Sequence, residues 1–254
     1  MSIFDQWRTS LSSWAIPEEI IRQAPVSPWI HPVEMFVVPQ TIQDSPSHQA
    51  AREALPSGGC LLDIGCGGGV AAFGATRPGD HVIGVDHQTE MLVEFEKEAT
   101  QRGLTSQTFF GDWPDISDQV PEADVVTCHH VVYNVSAIED FVRALSSHAR
   151  KRVVLELPQT HPRSNLAPAF KHFWNLDSPT EPTSEMMRQV LVEMGIKPEV
   201  QHWSAPFTNE IPFELNVEFT RIRLCLPQSR DAEVAEFLKA HPTPTERALT
   251  TIYW

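Results

Sequence analysis

The chain has 254 residues, enough for one large α/β domain with additions or for two small domains. Its 33 acidic and 19 basic residues give a formal net charge of −14, which argues against a phosphate-backbone partner, since nucleic-acid binders draw affinity from a basic face. An apolar content of 41% supports a sizeable core, while no apolar run approaches the roughly 18 residues of a membrane span.

In chain order, residues 1–55 form a first region rich in Pro and Trp (Trp7, Trp14, Trp29, Pro25, Pro28, Pro32), which reads as short helices and turns. The N-terminus lacks the basic-then-apolar order of a signal peptide, and the cytoplasm is the expected compartment. Ser45-Pro46 reads as an N-cap followed by Pro at the first helical position, opening the helix SHQAAREAL. Cys60–Ile64 is a short buried-strand signal, followed by a Gly-rich turn and the small-residue segment VAAFGA. His81–Asp86 is a second strand, and TEMLVEFEKEATQRG has apolar residues at helical spacing before Gly103 stops it. Thr108–Phe110 and Asp124–Cys128 are a third and a fourth strand. AIEDFVRALSSHA is a helix and Val153–Leu157 a fifth strand. The basic run Arg150-Lys151-Arg152 is expected to complement the end of that helix. Strands alternating with helices predict a parallel sheet covered on both faces.

After the fifth strand the rhythm breaks. Residues from about 158 to 182 form a proline-rich insertion with the aromatic cluster Phe170, His172, Phe173 and Trp174, of a length expected for a cover over a site. TSEMMRQVLVEMG resumes a helix and Glu199–Trp203 is a sixth strand. FELNVEFTRIRLCL is ambiguous and leans to helix, and TTIYW supplies a last strand, antiparallel if it slots between the fifth and sixth. The four cysteines (Cys60, Cys66, Cys128, Cys225) show no zinc-like spacing and suit a reducing compartment.

The strongest signal is LLDIGCGGGVAAF, a strand running into Asp63-x-Gly65-x-Gly67-x-Gly69 with a helix at once behind it. Such a turn is tight, and a ligand must approach its backbone unobstructed by a Cβ. A dinucleotide fingerprint would place its third glycine where Val70 stands, so that reading fails. Asp86 ends the second strand about twenty residues on, where an acid accepts bidentate bonds from a ribose diol. Gly111-Asp112-Trp113 ends the third strand and Cys128-His129-His130-Val131-Val132-Tyr133-Asn134 follows the fourth.

Together these stations resemble the class I S-adenosylmethionine-dependent methyltransferases, over roughly residues 55 to 160. The resemblance implies a Rossmann-like, mostly parallel seven-stranded sheet with helices on both faces and an antiparallel last strand. It implies an N-terminal helical lid over 1–55 and a methyltransferase domain over 56–254. S-adenosylmethionine is the implied cofactor, with Asp63, Gly65, Cys66 and Gly67 at its amino-acid half, Asp86 and His87 at the ribose, Asp112 and Trp113 at the adenine, and His129 beside it.

Methyl transfer from a sulfonium needs mainly in-line positioning of the acceptor. An oxygen acceptor also benefits from a base, and imidazole is suited to it near neutral pH. His130 is the first candidate, with His129, Tyr133 and, after the fifth strand, His161 as rivals. Tyr133 and Asn134 are equally read as helix-capping or backbone-satisfying groups. The Asn/Asp-Pro-Pro-Tyr element of amino-directed nucleic-acid and protein-glutamine enzymes is absent, as is the Pro-Cys nucleophile of cytosine-modifying ones. The only acid of the fourth strand, Asp124, stands at its start, so no metal is expected. The expected acceptor is a small molecule, aromatic or apolar in character, with neither nucleic acid nor membrane as partner. The alternatives are a non-catalytic binder of S-adenosylmethionine or S-adenosylhomocysteine, which would have a closed acceptor side, and a nucleic-acid methyltransferase, which would show salt-dependent binding to RNA or DNA.

Overall fold

Short apolar strands joined through helices can bury both sheet faces only when those helices pack above and below them. A computed structural model, describing residues 1–29, 38–206, 212–242 and 244–254, has this arrangement. Pro32 of the N-terminal region lies outside the described residues. Strand β1 (Cys60–Ile64) pairs in parallel with β2 (His81–Asp86) and β4 (Ala123–His129). Strand β3 (Thr105–Phe110) lies beyond β2, and β5 (Ala149–Pro158) beyond β4, also parallel. Strand β7 (Glu246–Tyr253) runs antiparallel between β5 and β6 (Glu199–Pro206), giving the order β3-β2-β1-β4-β5-β7-β6. The antiparallel last strand therefore sits where the sequence placed it. This is a Rossmann-like sheet, mostly parallel with an antiparallel last strand.

Side chains on successive strand residues point to opposite faces. Leu62, Ile83, Val126 and Val153 enter one core with Phe141 and Leu145 of α6 (Ile138–His148), Met187 of α8 (Ser184–Glu193) and Trp7 of α1 (Ile3–Ser12). Leu61, Val82, Val125 and Val154 enter the other with Phe73 of α4 (Val70–Ala75), Phe95 of α5 (Thr89–Gln101) and Ala51 of α3 (Pro46–Ala54). Ser45 caps α3 as expected, its hydroxyl accepting from the His48 N–H at 3.2 Å.

Two expectations need correcting. Arg150-Lys151-Arg152 does not close a helix, because β5 begins at Ala149 directly after α6. Arg150 pairs with Asp124 at 3.4 Å, and Arg152 donates to the Ala50 carbonyl at 2.7 Å and lies over the Tyr253 ring. The 158–182 insertion is not a bare loop. It carries α7 (Ala167–Trp174), whose Phe170 joins Ile20 of α2 (Glu18–Ile21), Val217 of α9 (Phe213–Arg223) and Val234 of α10 (Asp231–Ala240) in a third apolar cluster. Among the described residues no helix is long and apolar enough to cross a membrane.

Candidate functional site

The strand order reverses between β1 and β4, the place where open α/β sheets bind ligands beyond their carboxyl ends. A cavity of about 630 Å³ opens there. The glycine loop forms its floor. Gly65 and Gly67 have φ of +68° and +49°, and a Cβ on Gly65 would stand 2.5 Å from Val131 Cγ2. The Gly65 and Cys66 N–H groups donate to the Val85 carbonyl at 2.9 and 3.0 Å, tying the loop to the end of β2. The Cys66 thiol borders the cavity, and burial pushes its pKa well up, keeping it a thiol.

Asp86 is fixed by two backbone donors, Gly67 N–H to Oδ2 at 3.0 Å and Gln88 N–H to Oδ1 at 2.9 Å. Each oxygen keeps further lone-pair capacity on the cavity side, as a diol receptor requires. His87 and Asp112 stand exposed at the rim, with Nδ1 and Oδ1 3.6 Å apart. Trp113 lies on the wall, with His148 edge-on to it at 4.8 Å between ring centroids.

Asp63 lies beneath the glycine loop rather than on the cavity wall, and its Oδ2 has no hydrogen-bond partner among the described residues. It is 1% exposed and accepts from Thr127 Oγ1 at 2.9 Å beneath the loop, outside the residues that line the cavity. Burial pushes its carboxyl up to about 7. Tyr133 is likewise withdrawn. Its hydroxyl donates to the Pro158 carbonyl at 2.7 Å and its ring stacks on Trp7, so the phenol is spent on packing. His161 is buried against Trp14, with ring centroids 4.1 Å apart, and also stands outside the cavity wall.

The far side of the cavity carries an unusual polar group. His129 and His130 both border it. His130 adopts the left-handed conformation (φ 61°), uncommon for a residue with a Cβ, and its N–H donates to the Glu156 carbonyl at 2.7 Å. The turn brings His130 Nε2 to 3.2 Å from Glu156 Oε1, while Ser45 Oγ donates to Glu156 Oε2 at 3.2 Å. Burial alone would raise the Glu156 carboxyl; the hydrogen bond and charge of His130, with a serine hydroxyl, hold the group below the usual range. His129 is pushed down to about 3 by burial, so its ring is neutral. Sequence reading missed Glu156. Its signal was an acid inside the apolar strand VVLELP, since a buried charge needs a partner.

Part of the cavity's outer wall comes from the N-terminal region, and none of it from the 158–182 insertion. That wall is made by Pro39, Ile42 and Asp44 before α3, Trp203 and Ala205 of β6, and Arg247 of β7. Trp7 and Trp14 are pins rather than lids, donating to the carbonyls of Val135 (2.8 Å) and Glu181 (2.5 Å). Among the described residues no group of three or more His, Cys, Asp or Glu is arranged to hold a metal ion.

Residues 61–152, which hold β2 to β4, all but the first residue of β1 and the glycine loop, match the family described as a methyltransferase domain. That segment carries a methyltransferase domain. The chain is similar to an uncharacterised protein of Haemophilus influenzae, 36% identical over 98 residues, which cover 37% of this chain and 35% of that one. It is also similar to the ubiquinone biosynthesis O-methyltransferase of Aeromonas salmonicida, 31% identical over 109 residues, 42% of this chain and 46% of the relative. The chain thus spans less than half the length of these curated relatives. A crystal structure of an S-adenosylmethionine-dependent methyltransferase from Geobacter sulfurreducens, in complex with S-adenosyl-L-homocysteine, shares the fold. Its TM-score is 0.55 at 17% identity, covering 88% of this chain and 97% of that one.

Proposed function

We propose that this chain transfers a methyl group from S-adenosylmethionine to a hydroxyl of a small, aromatic or apolar acceptor. The observation that carries the reading is a single cavity with the glycine cradle, Asp86 and Asp112 at one end and the His130–Glu156 pair at the other. The residues fit the cofactor. The loop depends on glycine at Gly65, where φ is +68° and a Cβ would strike Val131, and Asp86 is preset with acceptor capacity to spare. When bound, S-adenosylmethionine supplies a methyl already activated by its sulfonium, so no residue need generate the electrophile.

The work left to the protein is positioning and proton removal. Trp203, Ile42 and Pro39 offer an apolar wall on which an aromatic acceptor is oriented. His130 takes the hydroxyl proton on its way to attack, and Glu156 stabilises the imidazolium that results. Ser45 holds the other carboxylate oxygen, coupling α3 to the base.

Calorimetric titration with S-adenosylmethionine, S-adenosylhomocysteine and NAD tests the cofactor assignment. Micromolar binding of the first two and none of the third is expected; preference for NAD would overturn it. An acceptor screen with methyl-deuterated cofactor and mass-spectrometric detection should then find label on phenols rather than on RNA, DNA or protein.

A further inference from the structure

His48 is not accounted for by the stations above. It lies in the first turn of α3, 4% exposed, with its ring bordering the cavity. Neither Nδ1 nor Nε2 has a hydrogen-bond partner among the described residues. A buried imidazole with both nitrogens unmet is costly unless something completes it. Its position is tightly specified. A Cβ on Gly74 would stand 2.4 Å from Nε2, so α4, the helix behind the glycine loop, leaves room for this ring only because residue 74 is glycine. A third unmet nitrogen at this end, Nε2 of His129, belongs to a ring whose centroid is 5.8 Å away.

The sheet order says which part of the cofactor arrives there. With adenine at the end of β3 and the ribose on Asp86 at the end of β2, the remaining arm must extend over β1 toward β4, where His129 and His48 stand. That arm ends in an ammonium and a carboxylate. The carboxylate needs donors, yet among the described residues the only lysine or arginine on the cavity wall is Arg247, on β7, two strands beyond β4. An uncharged imidazole always has one N–H to give. Burial lowers the His48 pKa, with Glu156, Asp44 and the nearby Val70 backbone opposing and Arg52 assisting, so the ring is neutral at pH 7 and carries one N–H.

We propose that His48 is a cofactor-binding residue whose imidazole N–H is donated to the carboxylate of the methionyl arm of S-adenosylmethionine. The inference rests on the cofactor assigned above, and its test separates the two. The full-length chain and its His48→Ala and His48→Gln variants are titrated with S-adenosylhomocysteine and with methylthioadenosine, which keeps adenine and ribose but lacks the amino-acid arm. The wild type should prefer S-adenosylhomocysteine. His48→Ala should weaken that ligand by about tenfold or more, the value of a hydrogen bond to a charged group, and leave methylthioadenosine within about twofold. His48→Gln, which retains an N–H donor, should recover part of the loss. Methylthioadenosine binding also reports that each variant is folded. Unchanged S-adenosylhomocysteine affinity in His48→Ala, or an equal loss for both ligands, overturns the role of His48 while leaving the cofactor assignment intact. A wild type that binds neither ligand overturns both.

Discussion

Asp86 and Glu156 are both carboxylates at strand ends on one cavity, and their surroundings give them opposite tasks. Asp86 is held by backbone N–H groups and faces the cavity with spare acceptor capacity, so it suits a neutral diol. Replacing it with Ala removes a bidentate contact and frees the loop it anchors. Affinity for S-adenosylhomocysteine should fall about 100-fold, from two charge-assisted bonds, in a calorimetric titration; an unchanged value would sink the ribose assignment. Glu156 faces imidazole and hydroxyl instead. Glu156→Gln keeps the shape but loses the charge that steadies imidazolium. Turnover on an identified acceptor should drop roughly 10- to 100-fold, with S-adenosylhomocysteine affinity unchanged. A matching loss of cofactor affinity would instead place Glu156 on the cofactor side.

Helix α3 is the element that joins these residues, because one side chain both caps it and touches the base pair. Ser45 Oγ accepts from the His48 N–H and donates to Glu156, so Ser45→Ala should cost about 1 kcal/mol through the cap alone. Urea unfolding measures that cost, and the same variant should lower turnover without abolishing it. The cap was legible in Ser45-Pro46, as were β1 to β5, because each is encoded by local turn chemistry or by a short apolar run. The glycine loop was legible for the same reason. Glu156 was not, since its partners come from α3 and from a left-handed turn at His130 that nothing in CHHVVYN announces. Tyr133 and His161 were read as acceptor-side candidates, yet they pack against Trp7 and Trp14 of the N-terminal segment, more than a hundred residues away in sequence. Helix α10 left no trace beside the ambiguous stretch before it, and only the shared cluster with α7 and α9 explains its apolar face.

Over the whole molecule, buried titratable groups set how stability responds to acid. His161 is 6% exposed, and burial, aided by Arg163, pushes its pKa down to about 4 from 6.5. The native ring stays neutral while the unfolded chain takes up a proton below pH 6.5. Stability from this group is therefore present at pH 7 and lost as pH falls toward 4. His129, pushed to about 3, acts in the same direction. Asp63 opposes them. Its carboxyl, raised to about 7 from 3.8, stays protonated in the native state while the unfolded chain ionises, so its contribution declines as pH rises from about 4 to 7. With His48 and the depressed Glu156 carboxyl acting in the same direction as these two imidazoles against Asp63, the molecule is more stable at pH 7 than at pH 4. His161→Asn should flatten that difference by about 3 kcal/mol, the worth of a shift from 6.5 to about 4. Asp63→Asn should steepen it by removing the opposing group. Urea-unfolding free energies of the three proteins at pH 4 and pH 7 decide the matter. An unaltered pH dependence in His161→Asn would mean that the Trp14–His161 stack opens to water in the native state, freeing the N-terminal segment from the sheet.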